Sequence, residues 1–147
     1  MSDHYRKLER MYLSAPVNRI YSPTIHIDKG RAVVEIEVGE QFFHAANAVH
    51  GAVYFKVLDD SAFFAANSLV IDSFVLTVSF NVYFTRPVRE GSLRAEGRVV
   101  SKSKSLVIAE SVLFNGDDEV ARGSGSFVPS KICLLYTSDA ADDLLQV

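Results

Sequence analysis

A stretch of 20 residues, from His50 to Leu69, contains no proline and carries only three formal charges after His50. An α-helix that is apolar on most of its faces is stable only when other elements bury it. Strand-like segments precede and follow this stretch. The sequence therefore predicts an α+β domain in which an antiparallel sheet wraps around one long central helix.

Asp59 is the carboxylate of this helix with the least polar surroundings. At about 100° per residue, the side chains of Lys56, Asp60 and Asn67 cluster in one narrow polar stripe. Lys56 and Asp60 are four residues apart and are expected to pair on a solvated face. The face of Asp59 carries no cation and consists of Ala52, Phe55, Ala62, Phe63 and Ala66. Burial there should raise the pKa of Asp59 and makes it a candidate for catalysis, although a hydrogen bond to a core hydroxyl or backbone group is an equally compatible interpretation.

Composition limits the class of protein. A chain of 147 residues with 48% hydrophobic content suits one domain, and a net charge of -3 gives no reason to expect a nucleic-acid partner. The single cysteine, Cys133, excludes an internal disulfide and fits a reducing compartment. No apolar run reaches the roughly 18 residues that span a bilayer, and no signal-type apolar core follows the first residues. We expect a soluble, cytoplasmic protein without a membrane partner.

Hydrophobic periodicity predicts the order helix, β-β-α-β-β-β-β. An amphipathic helix is expected over residues 3–13, ending before Pro16. Six strands are predicted over residues 17–28, 31–38, 74–87, 92–101, 105–114 and 119–128. Pro23 requires an edge or a bulge in the first of them.

Residues 131–147 do not continue this pattern, because they follow a strand that is expected to end at Pro129. The chain is accordingly divided into a short N-terminal helix (1–16), the α+β domain (17–130) and a tail (131–147). We interpret the tail as sequence foreign to the domain. A short docked helix through Ala140 to Leu145 is the alternative.

The order of elements resembles the hotdog fold, and two motifs are similar to those of the PaaI-like acyl-CoA thioesterases. That family has His-Gly-Gly at the start of the helix and an acidic residue nine positions after the His, which correspond here to His50-Gly51-Ala52 and Asp59. The strand Thr77–Pro87 resembles the family's first long strand, which ends in a basic residue and a proline. The resemblance covers roughly residues 17–129.

The sequence departs from the family pattern at three positions. Ala52 replaces the second glycine of the motif. The family often has Asn six residues before the His and Gly three before it, where this chain has His44 and Asn47. Asn47 could stand in for the usual residues, His44 could take the polar role, or the substrate class could differ.

The resemblance implies hydrolysis of an acyl-CoA thioester to a free acid and CoA. Asp59 would act as general base for water or as nucleophile. The free N–H of Gly51, at the positive end of the helix, is a candidate donor to the thioester oxyanion. Thr77 could orient the water, although it could equally be an ordinary strand residue. His50 could position the loop or the thioester, although it could equally be a histidine that only begins the helix.

The spacing within the motif predicts a dimer. Nine residues separate His50 from Asp59, which corresponds to a rise of about 13.5 Å and a rotation of about 180° along a helix. The helix start and the carboxylate should therefore not face one substrate within a single chain, whereas two helices related by a two-fold axis can bring them together. The resemblance implies the same homodimer, and often a dimer of dimers.

Further candidates for substrate binding are polar, basic or aromatic: His44, Asn47, Phe55, Phe63, Arg86, Lys102 and Lys104. The three cations could bind the CoA phosphates and the two phenylalanines could line the acyl pocket, with solvated turns and core packing as the alternatives. We see no set of metal ligands and expect no cofactor, since CoA is part of the substrate. The sequence does not predict the chain length of the acyl group or whether it is aromatic or aliphatic.

Two other functions compete with hydrolysis. A non-catalytic acyl-CoA-binding or regulatory hotdog module would bind the ester without turnover, and the departures around His44, Asn47 and Ala52 keep it possible. A hotdog dehydratase or hydratase ranks lower, because that chemistry usually requires an Asp and a His acting together.

Overall fold

The structure, a computed structural model, describes residues 2–133. Its elements in chain order are α1 (Ser2–Ser14), α2 (Asn18–Tyr21), β1 (Thr24–Asp28), β2 (Arg31–Glu37), a 3-10 turn (Glu40–Phe42), α3 (Gly51–Ser68), β3 (Ser73–Phe84), β4 (Ser92–Lys102), β5 (Val107–Asn115) and β6 (Asp118–Cys133). The predicted order of one helix followed by β-β-α-β-β-β-β is confirmed, with α2 as an addition.

The six strands form one antiparallel sheet in the order β1-β2-β4-β5-β6-β3, and α3 packs across one face of it. The side chains of α3 with no exposure to solvent are Val57, Leu58, Ser61, Ala62, Ala65, Ala66, Asn67 and Ser68. Helix and sheet are in close contact at Gly97 in β4, where an added Cβ would lie 2.3 Å from the carbonyl oxygen of Ser61. The prediction of a sheet around a buried central helix is therefore confirmed.

The predicted strand over residues 17–28 is wrong in its first half, which forms α2. Asn18 continues the helical path after α1, because its side-chain Nδ2 donates to the carbonyl of Tyr12 at 2.7 Å. Ser22 then takes a left-handed φ of 46° and Pro23 follows, so that β1 begins only at Thr24. Local alternation of apolar residues could not reveal this buried side-chain contact.

The last strand is longer than expected. Ser73 pairs with Cys133, so β6 continues beyond Pro129 and includes three residues assigned to the tail. The rest of the tail, with the alternative helix through Ala140 to Leu145, lies outside the described residues.

The two edges of the sheet differ. Along β1, the edge backbone of Ile27 is hydrogen-bonded by side chains of α1, since its N–H donates to Glu9 at 2.8 Å and its carbonyl accepts from Arg6 at 2.5 Å. Along β3, no described residue covers the free edge. The exposed large apolar side chains of β3 are Leu76, Val78, Tyr83 and Phe84. An uncovered strand of 12 residues with such side chains is a template for pairing with another chain.

No helix between residues 2 and 133 is long and apolar enough to cross a membrane.

Candidate active site

The start of α3 carries the His-Gly motif. His50 is the residue that precedes the helix, and its ring Nδ1 accepts a hydrogen bond from the N–H of Ala52 at 2.9 Å. Gly51 is the first helical residue, and N–H groups of a first turn have no acceptor within the helix. The arrangement assigns a capping role to His50 and leaves the N–H of Gly51 as the donor available at the helix start.

A cavity of about 360 Å³ opens beside this donor. We call it the helix-start cavity; it is lined by His44, Val49, Gly51, Tyr54, Phe84, Thr85, Arg86 and Pro87. The phenol of Tyr54 donates to the carbonyl of Arg86 at 2.7 Å and so fixes the end of the strand against the helix. The ring of Phe84 leaves little space beside the backbone of Gly51, since an added Cβ would lie 3.2 Å from it.

Asn47 and His44 belong to the loop that leads into α3. Asn47 has a left-handed φ of 62°, a conformation that Asn adopts more readily than most residues other than Gly. Asn can therefore replace the glycine that the family often has here, and Asn47 itself lines neither the helix-start cavity nor the one described next. His44 does line the helix-start cavity, with its Nδ1 accepting from the N–H of Ala46 at 3.0 Å.

Asp59 lies in a second cavity, of about 310 Å³. We call it the Asp59 cavity; it is lined by Met11, Tyr12, Ala15, Val17, Asn18, Lys56, Asp59, Asp60, Phe63, Phe64, Phe74 and Thr77. The hydroxyl of Thr77 donates to Oδ1 of Asp59 at 3.0 Å. Loss of water around the carboxylate raises the pKa of Asp59 to about 6, and the Thr77 hydrogen bond opposes this rise. Smaller effects come from the charge of Asp60, which raises the pKa, and from Lys56, which lowers it.

Lys56 and Asp60 form an ion pair, but the prediction that they do so on a solvated face is wrong. Their side chains are 14% and 18% exposed, because α1 and α2 pack over them. The phenol of Tyr12 donates to Asp60 at 2.6 Å, and the ammonium of Lys56 lies 5.2 and 4.9 Å from the ring centres of Tyr12 and Tyr21. The expectation of no cation near Asp59 is also wrong, since Lys56 is close enough to affect its pKa.

The remaining predicted residues divide between the site and other places. Phe63 lines the Asp59 cavity, whereas Phe55 packs edge-on against Phe80 with ring centres 5.4 Å apart and lines neither cavity. Lys102 and Lys104 are exposed around the turn between β4 and β5 and also line neither cavity. Within one chain, Arg86 is the predicted cation that lies beside the helix start.

Sequence reasoning missed the contribution of the N-terminal helical segment to the site. Five of the residues that line the Asp59 cavity come from it, Met11, Tyr12, Ala15, Val17 and Asn18. The available signal was the spacing of Tyr5, Leu8 and Tyr12, which are the buried residues of α1 and mark the face that packs on the domain. That spacing predicts a packed face without saying what it covers.

The two cavities have no lining residue in common. One chain therefore holds a hydrogen-bond donor at a helix start and a desolvated carboxylate farther along the same helix, at separate sites. A sheet around a helix with this pair of groups is typical of the hotdog-fold hydrolases that act on thioesters.

Comparison with known proteins agrees with this class. The sequence profile of the Thioesterase superfamily matches residues 46–122, which is more than half of the chain. The chain belongs to this superfamily, and the predicted hotdog fold is confirmed.

Individual relatives are distant in sequence but similar in extent. A candidate esterase of Saccharolobus solfataricus is 26% identical over 132 residues, which cover 86% of this chain and 93% of that protein. The structure of the E. coli PaaI protein, from the phenylacetic acid degradation operon, is similar with a TM-score of 0.81 at 21% identity, over 88% of this chain and 95% of that one. A thioesterase family protein from Silicibacter pomeroyi has a TM-score of 0.77 at 23% identity, over 85% and 96% of the two chains.

Proposed function

We propose that this protein hydrolyses acyl-CoA thioesters to a free acid and CoA, at sites shared between the two chains of a homodimer. The observation that carries the proposal is the carboxylate of Asp59, desolvated in a largely apolar cavity and held by the hydroxyl of Thr77. A pKa of about 6 leaves this group ionised at neutral pH while keeping it basic enough to take a proton. Asp59 acts either as general base for a water molecule or as nucleophile on the thioester carbonyl.

The oxyanion formed during this reaction needs a donor, and the N–H of Gly51 is the candidate. The separation of the helix-start cavity from the Asp59 cavity supports a site built from two chains, with Asp59 from one and Gly51 of the partner subunit from the other. The difference between the sheet edges supports pairing through β3, because α1 covers the β1 edge and, within residues 2–133, β3 is the edge left open to a second copy.

The CoA part of the substrate carries phosphates that require cations. Arg86 lines the helix-start cavity and its guanidinium is exposed, with only a distant pairing to Asp118 at 3.5 Å. An exposed pair of this kind is weak and can exchange for a phosphate. Lys102 and Lys104 stay candidates for the same role from the β4–β5 turn.

The first test is thiol release from a panel of aliphatic and aromatic acyl-CoAs. Asp59→Asn should reduce kcat/KM by about 10² or more, because removal of a general base has effects of this size. Gly51→Pro deletes the N–H at the first helical position, where Pro is favoured and where His50 before it already has the extended backbone that Pro requires. The expected effect of Gly51→Pro is a loss of about 10² to 10³ in kcat. Gly51→Ala adds the same Cβ, 3.2 Å from the ring of Phe84, but keeps the N–H, and its smaller loss separates the donor from the steric contact.

Mixing the two inactive variants tests the shared site. A heterodimer of Asp59→Asn and Gly51→Pro chains contains one site with both native groups, so activity should return when the subunits exchange. Exchange is verified by mass spectrometry of differently tagged chains. Heterodimers that form and stay inactive contradict a shared site. Calorimetric binding of acyl-CoA without thiol release by the native protein would favour a binding module instead.

A further inference from the structure

The Asp59 cavity has three sides that come from different parts of the chain. Helix α3 contributes Phe63 and Phe64, which we call the floor, and β3 contributes Phe74 and Thr77. The N-terminal helical segment, residues 11–18, lies outside the six-stranded sheet and its central helix and contributes a further part of the lining, which we call the N-terminal wall.

Buried polar contacts hold this wall in place. Tyr12 is 5% exposed, donates to Asp60 at 2.6 Å and has Lys56 against its ring. Its carbonyl accepts from the buried side chain of Asn18 at 2.7 Å, which ties α2 to the end of α1. The two charges that face the cavity beside Asp59 are thus paired with each other, and the segment is an anchored part of the fold.

The surface left to a ligand is mostly apolar away from Asp59 and Thr77. On the N-terminal wall the apolar residues are Met11, Ala15 and Val17, beside the buried Tyr12 and Asn18, and on the floor they are aromatic rings. In the proposed site the carbonyl carbon of the thioester lies at Asp59 and the CoA phosphates bind cations outside this cavity, such as Arg86. The apolar lining of the Asp59 cavity is then left for the hydrocarbon part of the substrate. A volume of about 310 Å³ is at the small end of the range for ligand cavities and leaves room for a compact acyl group.

We propose that residues 11–18 select the acyl group, with Met11 and Ala15 setting the longest hydrocarbon chain that the site accepts. This inference rests on the proposed thioesterase function. Met11 is flexible and fills space beside the acyl terminus, and Ala15 is small enough to leave that space open. Selection then depends on a segment that lies before the family motif and outside the central sheet.

The test compares kcat/KM for straight-chain acyl-CoAs, from acetyl to dodecanoyl, in the full chain. Ala15→Leu should lower kcat/KM for the longest accepted esters at least tenfold and change that for acetyl-CoA less than threefold. Met11→Ala should move the optimum to longer chains, since each additional methylene group that becomes buried is worth about fourfold in binding. Leu13→Ala is the control, because Leu13 is on the same helix, 51% exposed and outside the cavity.

Unchanged relative kcat/KM values along the series in both variants would overturn the inference, and so would a profile that shifts equally in Leu13→Ala. If the native protein releases no thiol from any ester, the proposed function fails, and the wall is then tested through binding. Calorimetry with the free acids from butanoic to dodecanoic acid should still show that Ala15→Leu lowers the binding affinity for the longer acids at least tenfold. Equal affinities in native and variant proteins would reject the wall as a selecting element.

Discussion

Replacing Asp59 by Asn should make the folded protein more stable at pH 8 and leave its stability nearly unchanged at pH 3. Desolvation raises the pKa of Asp59 from 3.8 to about 6 in the folded chain. Because the folded pKa is the higher one, the group destabilises the fold increasingly as the pH rises from about 4 to about 6 and has its full effect above that, whereas it has little effect near pH 3, where it is mostly protonated in both states. Asn is neutral throughout and keeps an oxygen that can accept from Thr77.

The size of the gain follows from the two pKa values. The difference between 3.8 and about 6 corresponds to about 3 kcal/mol when the carboxylate is fully ionised in both states. The Asp59 cavity is open on one side, and solvent screening there reduces the value to an expected gain of about 1 to 2 kcal/mol. For a chain of this size the melting temperature at pH 8 should rise by about 3 to 6 °C. Activity changes in the opposite direction, which separates a functional carboxylate from a structural one.

The assay is thermal unfolding followed by circular dichroism between pH 3 and pH 8.5. Asp60→Asn is the matched control, because the neighbouring carboxylate accepts a hydrogen bond from Tyr12 and forms an ion pair with Lys56. It should lose about 2 kcal/mol at pH 8, since a mostly buried ammonium is left without its charged partner. An Asp59→Asn protein that melts at or below the native temperature at pH 8, or that gains as much stability at pH 3 as at pH 8, would contradict the desolvation of Asp59.

Two further predictions concern a hydrogen bond and a close contact. Thr77→Val removes the hydrogen bond that lowers the pKa of Asp59, so the acidic limb of the kcat/KM profile should move to higher pH, whereas Thr77→Ser should keep its position. A limb that does not move in the Val variant contradicts the role of the hydroxyl. Gly97→Ala places a Cβ 2.3 Å from the carbonyl oxygen of Ser61, so helix and sheet must separate, and urea unfolding should show a loss of about 3 kcal/mol. Gly116→Ala is the control, because Gly116 lies in a turn with φ 62° and an added Cβ would have nothing within 4 Å. It should lose only about 1 kcal/mol of stability, and a loss as large as that of Gly97→Ala would show that the contact between helix and sheet at Gly97 is not tight.

The parts of the site that were predictable depend on local spacing. Helical periodicity turned Asp59 away from the polar stripe, and strand alternation put Thr77 on a strand after the helix. The second prediction holds, and the structure adds that the hydroxyl of Thr77 donates to Asp59 at 3.0 Å. The first holds only in part, because Lys56 and Asp60 line the same cavity as Asp59. The helix bounds agree closely with the expectation, because a long proline-free apolar run ended by a turn has few other ways to fold.

Other parts depend on contacts between distant segments. The charges of Lys56 and Asp60 suggested a solvated face, and only the position of Tyr12, 48 residues before Asp60, makes that face buried. The same segment includes α2, which local alternation assigned to a strand. A packed face on α1 could be recognised from its spacing, but its position against the Asp59 cavity could not.

Local patterns in the sequence predict the order of elements, the burial of the central helix and the distance along it between the His-Gly motif and Asp59. These follow from periodicities within a few residues, which backbone geometry imposes on any chain. Contacts between distant segments establish which edge of the sheet is covered, which charges are paired and which segment completes the lining of the Asp59 cavity. Such features depend on how whole elements pack against each other, and that packing is set by the combined shape of side chains from distant positions.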